Sequence, residues 1–198
     1  ANAEELSDTD YYQLGFAYFQ KEEYNRAATY LTEVIGVEDS LTQNAAYHLA
    51  KCYIEMDDKA RAKTAFGIAA HNEFDKEIAE DALFNYAKIC FELDYSPFAE
   101  AINSFNKFIT KYPNSIRIDE AYEFLLQAVL GTKNYEQAIK VIEQVPQRTP
   151  EIDEAYQRLA YFKALKYFAD LNLDKAIEYF DKSLDFKQYS PEYKALAY

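Results

Sequence analysis

Residues 11–31 read YYQLGFAYFQKEEYNRAATYL. Tyr11, Leu14, Gly15 and Tyr18 stand at offsets of three, four and seven, which puts them on one face of a helix. Ala27 and Leu31, one turn apart, begin the same pattern in a second segment. A glycine packed among large residues, followed by an alanine twelve positions later, marks two helices that cross closely.

The phrase returns along the whole chain. Its first half reads Ala46-x2-Leu49-Ala50-x2-Tyr53, Leu83-x2-Tyr86-Ala87-x2-Cys90, Tyr122-x2-Leu125-Leu126-x2-Val129 and, more weakly, Ala160-x2-Lys163-Ala164-x2-Tyr167. Its second half reads Ala62-x3-Phe66, Ala101-x3-Phe105, Ala138-x3-Ile142 and Ala176-x3-Phe180. The step between the halves is 12 residues in four copies and 14 in the third, where Pro97 marks a longer turn. All five prolines fall between phrases, where proline ends or opens a helix. Helices are expected over 8–20, 24–36, 41–55, 58–71, 75–93, 97–111, 115–131, 135–146, 150–170 and 173–186. No segment alternates with period two, so no strand is expected.

Composition agrees with this reading. The chain has 198 residues, 49% of them hydrophobic, enough to bury a core. Four glycines and five prolines are too few for a many-stranded sandwich or barrel. There are 19 Tyr and 14 Phe but no Trp. No run reaches the length of a membrane span. The net charge of −13 argues against nucleic acid as a partner. Residues 1–99 hold 19 acids and 8 bases, and residues 100–198 hold 15 and 13. A basic partner would therefore meet the first half, although a solvated face explains the same charge. Two cysteines make no disulfide framework.

These residues resemble tetratricopeptide repeats over essentially the whole chain. The resemblance implies an all-α, right-handed α-solenoid of antiparallel helix pairs. It divides the chain into pairs at 8–39, 40–73, 74–114, 115–150 and 151–189, with the first helix of a sixth unit at 190–198. Tyr193-x2-Leu196-Ala197 opens that sixth phrase, so the array is expected to continue in a longer protein. Residues 187–198 are expected to be the least protected helical segment, or to be covered by another copy of the chain. Three departures stand out. Tyr replaces the family's Trp, Leu126 occupies a small-residue position and should splay the fourth pair, and Lys163 occupies an apolar slot and should snorkel. A narrower likeness lies at Lys111-Tyr112-Pro113-Asn114-Ser115, which resembles links in bacterial envelope repeat proteins of the Tol–Pal-associated and outer-membrane assembly kinds. It implies a periplasmic or outer-membrane-associated setting. Tyr112 should pack on the stack, Pro113 stop a helix, and Asn114 or Ser115 cap the next.

Reactive constellations are sparse. The four glycines are too scattered for a phosphate loop, and the only histidines are His48 and His71. His48-x3-Cys52 places two donors one turn apart but lacks a third ligand; a core thiol and an interface histidine are the simpler reading. Cys90 reads as a buried thiol. No catalytic, cofactor-binding or metal-binding residue is assigned, and no enzyme activity or cofactor is expected. In such repeats the first helix of each pair lines the concave surface. The positions concerned are Tyr12, Phe16 and Phe19; Tyr47, Lys51 and Ile54; Phe84, Lys88 and Phe91; Glu123, Gln127 and Leu130; and Tyr161, Leu165 and Phe168. This aromatic stripe suits a peptide or protein segment. It equally suits packing between neighbouring units. The chain is therefore expected to be a non-enzymatic interaction scaffold. The alternative is a structural spacer or self-assembly segment of a larger bacterial envelope protein. A chaperone tail is a poor fit, because Lys51 and Lys88 alone make a weak carboxylate clamp.

Overall fold

A computed structural model of the chain describes residues 6–93, 99–132 and 134–185. Ten α-helices follow one another, with no strand among the described residues. They are α1 (Asp8–Gln20), α2 (Tyr24–Glu33), α3 (Ser40–Glu55), α4 (Lys59–His71), α5 (Lys76–Glu92), α6 (Ala99–Lys111), α7 (Ile118–Gly131), α8 (Tyr135–Gln144), α9 (Pro150–Ala169) and α10 (Leu173–Leu184). The fold is the all-α solenoid class that the phrases imply. Every helix was legible in the periodicity, with ends shifted by three residues at most. Backbone contacts divide the chain into two compact units, Ala1–Leu93 and Asp94–Tyr198. The boundary falls inside the expected third pair, between α5 and α6. The expectations about Pro97 and about residues 187–198 lie outside the described residues.

In the first unit α1 packs on α2, α3 on α4, and α2 and α4 bridge to the following helix. The small positions set these crossings. Gly15, Ala50 and Ala87 are buried, and so are Ala27 and Ala62 on the partner helices. Gly15 is the tightest case. A β-carbon there would lie 2.7 Å from Leu31 Cγ and 3.1 Å from Leu31 N.

The turns inside the pairs share one chemistry. Glu22, Asp57 and Leu171 occupy equivalent places in three-residue connections and all have left-handed backbone, with φ of 61°, 55° and 57°. The next N–H then reaches back five residues: Glu23 to the Tyr18 carbonyl, Asp58 to Tyr53 and Asn172 to Tyr167, at 3.0, 2.8 and 2.9 Å. That is the glycine-type helix ending built without glycine. Asp58 and Asn172 also cap the next helix through their side chains, a contact worth about 1 kcal/mol. Each of the three tyrosines carries a cation eight residues on over its ring: Arg26 on Tyr18, Arg61 on Tyr53 and Lys175 on Tyr167.

The links between pairs are held from α3. Thr42 Oγ1 donates to the Val34 carbonyl at 3.2 Å. Gln43 is fully buried; its Nε2 donates to the carbonyls of Asn72 and Asp75 at 2.6 and 2.9 Å, and its Oε1 accepts from Asp75 N at 2.7 Å. Two adjacent residues of α3 thus fix the links before and after the α3–α4 pair.

In the second unit α6 packs on α7 and α8, α9 on α8 and α10. Phe105, Phe108, Ile102, Leu125, Ile139 and Leu159 fill its core. Ala101, Ala138, Ala164 and Ala176 are buried at the small positions, whereas Leu126 is half-buried. Tyr112 packs against Phe108 with the rings tilted at 49°, 5.5 Å between their centroids. The expected cap is displaced: Ser115 Oγ accepts from Arg117 N, and α7 begins at Ile118 with Arg117 before it. Ser115 therefore closes a turn ahead of the helix and does not cap it. Lys163 is buried along its stem, and its ammonium meets Glu136 at 3.2 Å and the face of Tyr167 at 4.6 Å. Burial opposes its charge, but the hydrogen bonds to Glu136 and Tyr167 prevail and raise its pKa.

Candidate functional site

The stripe of first-helix residues becomes a defined surface in the first unit. Tyr12, Phe16 and Phe19 lie at i, i+4 and i+7 of α1, so their rings form a ladder along one face. Tyr12 and Phe16 are parallel at 6.0 Å, and Phe16 and Phe19 at 6.4 Å. His48 of α3 stands edge-on against the ladder, 4.9 Å from Phe16, 5.2 Å from Phe19 and 6.1 Å from Tyr12. Tyr47 meets His48 from the other side at 5.7 Å.

Hydrogen bonds fix the orientation of this group. The Asn44 carbonyl can only accept, so His48 Nδ1 donates to it at 2.8 Å and carries the proton of the neutral ring. Nε2 is then the acceptor. Burial among the rings lowers the His48 pKa, and nearby Lys51 adds to the effect against the Asn44 carbonyl. His48 is neutral at pH 7 as a result. Tyr47 donates to Asp81 Oδ2 at 2.7 Å, and Asn85 Nδ2 donates to the same oxygen at 2.9 Å. The Lys51 ammonium lies 4.6 Å above the Tyr47 ring. The surface therefore passes from aromatic on α1 to mixed aromatic and polar on α3 and α5.

The residues of the stripe differ in their exposure. Tyr12, Phe16, Phe19, Tyr47, Lys51, Lys88 and Phe91 are half-buried, and Ile54 is exposed. Phe84 is buried, so in α5 the ring belongs to the core and does not reach the surface. In the second unit Tyr161 is buried in the same way, with its ring 5.8 Å from Phe180. Leu130, Leu165 and Phe168 are exposed there, as are Glu123 and Gln127. The sequence reading places His48 as a surface or interface group and does not count it in the stripe. The signal was available, because His48 directly follows the groove position Tyr47 and so flanks the same helical face.

His48 and Cys52 do not act as a metal pair. His48 Nδ1 is engaged by Asn44, and Cys52 is fully buried, its thiol pushed up to about 12 by desolvation. Among the described residues no three His, Cys, Asp or Glu side chains gather as a metal site. Among them, too, no helix is long and apolar enough to cross a membrane.

The tetratricopeptide repeat family matches this chain at residues 11–40, 44–72 and 81–115. Those three stretches, just under half of the chain, are similar to tetratricopeptide repeats, a kind of repeat that generally mediates protein–protein interaction. No curated protein sequence matches the chain. Among solved structures, MamA is similar at 17% identity, covering 91% of this chain and 92% of its own, with a TM-score of 0.49. YrrB, described as a tetratricopeptide repeat protein with an unusual peptide-binding site, is 17% identical over 96% of this chain and 91% of its own, with a TM-score of 0.49. Kinesin light chain-like repeats from Podospora anserina are 13% identical over 90% and 93%, with a TM-score of 0.46.

Proposed function

We propose that the chain is a non-enzymatic interaction module that takes a protein segment on the aromatic face of α1 and α3. One observation carries this reading. Three parallel rings and a neutral histidine form an ordered, half-buried apolar surface on one side of the helix pairs. Aromatic side chains give large contact area at small cost in side-chain entropy, which is why they dominate binding hot spots. The Tyr12 hydroxyl, the free edge of His48 and the Lys51 ammonium add polar groups to that surface. Extended or helical segments with apolar side chains every third or fourth residue match the spacing of the rings.

The test uses a peptide array probed with the labelled full chain, followed by amide and aromatic NMR of a selected binder. Binding should shift Phe16, Phe19 and His48, and Phe16→Ala should weaken it at least tenfold. Selected peptides that leave those three residues unmoved, and bind Phe16→Ala as well as the parent, would refute the reading.

A further inference from the structure

The aromatic face carries two polar atoms that the ring ladder does not account for. With the His48 proton held at Nδ1 by the Asn44 carbonyl, Nε2 keeps its lone pair. Among the described residues nothing donates to Nε2, and solvent reaches it. Lys51 follows three residues later, on the same side of α3. Its ammonium lies 4.6 Å above the Tyr47 ring and forms no ion pair among the described residues. It is near enough for its charge to act on His48. The α3 side of the face thus offers an acceptor and a donor together. Between them stands Tyr47, whose own hydroxyl is committed to Asp81.

That combination discriminates between side chains. A segment that covers the face strips water from Nε2, and a covered acceptor left without a donor is costly. Phenylalanine or leucine leaves it so. A carboxylate would meet the Nε2 lone pair, and a lysine or arginine would meet the Lys51 charge. A serine or threonine hydroxyl suits both atoms but brings little surface to the rings. A phenol meets every requirement: its O–H donates, its oxygen accepts, and its ring adds large contact area to the ladder. On the reading that the α1–α3 face binds a segment, we infer that His48 and Lys51 make it selective for one that presents a tyrosine. The phenol donates to His48 Nε2 and accepts from the Lys51 ammonium. A site built around a hydroxyl rejects the analogue lacking it more strongly than an apolar pocket rejects a poor fit, because its polar groups are then buried unpaired.

Three uncharged peptides test this with the full chain: acetyl-Leu-Ala-Ala-Xaa-Ala-Ala-Leu-amide, with tyrosine, phenylalanine or O-methyltyrosine at the central position. The tyrosine peptide should bind at least about tenfold more tightly than either of the others. It alone should move the Nε2 nitrogen resonance of His48 as a bond to that atom forms. His48→Phe should bring the three peptides to within about twofold of one another, a loss of preference that weakened packing alone does not produce. Lys51→Met should cost the tyrosine peptide severalfold and leave the phenylalanine peptide unchanged. Equal binding of the tyrosine and phenylalanine peptides, with shifts at Phe16, Phe19 and His48, would overturn the inference and leave the α1–α3 face standing. A tyrosine preference that survives His48→Phe would overturn it too, as would no binding of the tyrosine peptide at millimolar concentration. Shifts centred away from those three residues would overturn it and count against the face itself.

Discussion

Replacing Gly15 by alanine tests the crossing on which the whole first pair depends. Two effects oppose each other. Alanine in mid-helix is favoured over glycine by about 1 kcal/mol. The added methyl, however, would stand 2.7 Å from Leu31 Cγ, 2.9 Å from Cδ2 and 3.1 Å from the Leu31 backbone nitrogen. Leu31 is fully buried and cannot swing aside. Overpacking of this kind costs about 1–3 kcal/mol, so Gly15→Ala should lose about 1–2 kcal/mol overall. Gly67→Ala is the control. Its methyl would meet only the Tyr86 ring at 3.3 Å, and that ring is half-buried and able to move. There the helix gain should dominate, giving between no change and about 1 kcal/mol of stabilisation. Urea unfolding followed through amides of residues 6–93 reads both variants in the same unit, which matters because two units need not unfold together. If Gly15→Ala proves as stable as Gly67→Ala, the close-crossing reading of the small positions is wrong.

Other expectations follow from particular residues. Gln43→Leu strands the Asp75 N–H and two carbonyls in a buried setting and should cost about 2–4 kcal/mol, with faster hydrogen exchange at Asp75. Because burial lowers the folded pKa of His48, the unfolded chain binds its proton first; stability should be full above about pH 6.5 and decline as pH falls from there through the folded pKa. Chemical denaturation across pH 5–8 checks this, and His48→Phe should flatten that part of the profile. Lys163→Met keeps the buried stem and should change stability by less than about 1 kcal/mol, whereas Lys163→Ala should cost about 2 kcal/mol or more; equal effects would show that the ion pair, not the stem, matters. Leu171→Gly relieves a left-handed turn at an exposed position and should raise the unfolding free energy read from urea denaturation by about 0.5–1 kcal/mol.

The helices were legible because the small and large positions recur at fixed offsets, so each helix is specified several times over. Gly15, Ala27, Ala50 and Ala62 sit where the pattern puts them, buried at the crossings. The face was only partly legible. Phe84 and Tyr12 hold the same place in their repeats, yet one is buried and the other half-buried. Position within a repeat sets direction; the neighbouring side chains decide how much of the ring stays open. Ser115 misled for a similar reason. A hydroxyl before a helix signals a cap, but here it bonds two residues on and the helix starts later. The path of the α4–α5 link left almost no trace in sequence, since it is held by hydrogen bonds from Gln43 to residues 26 to 32 positions on.

Gln43 has one further consequence. Because its amide supplies both a donor and an acceptor to the backbone of the α4–α5 link, that link takes its path from α3 and from its own Asn72 and Asp75, with nothing required of the side chain between them at Phe74. Phe74, exposed on that link, is thereby released from architectural duty. Substitutions there change what the edge of the molecule shows to its surroundings and leave the scaffold beneath unaltered. A single interior amide thus separates inheritance of shape from variation of surface. Repeats that keep such a glutamine can diversify their links at little structural risk, while repeats that lose it must encode the path in the link itself.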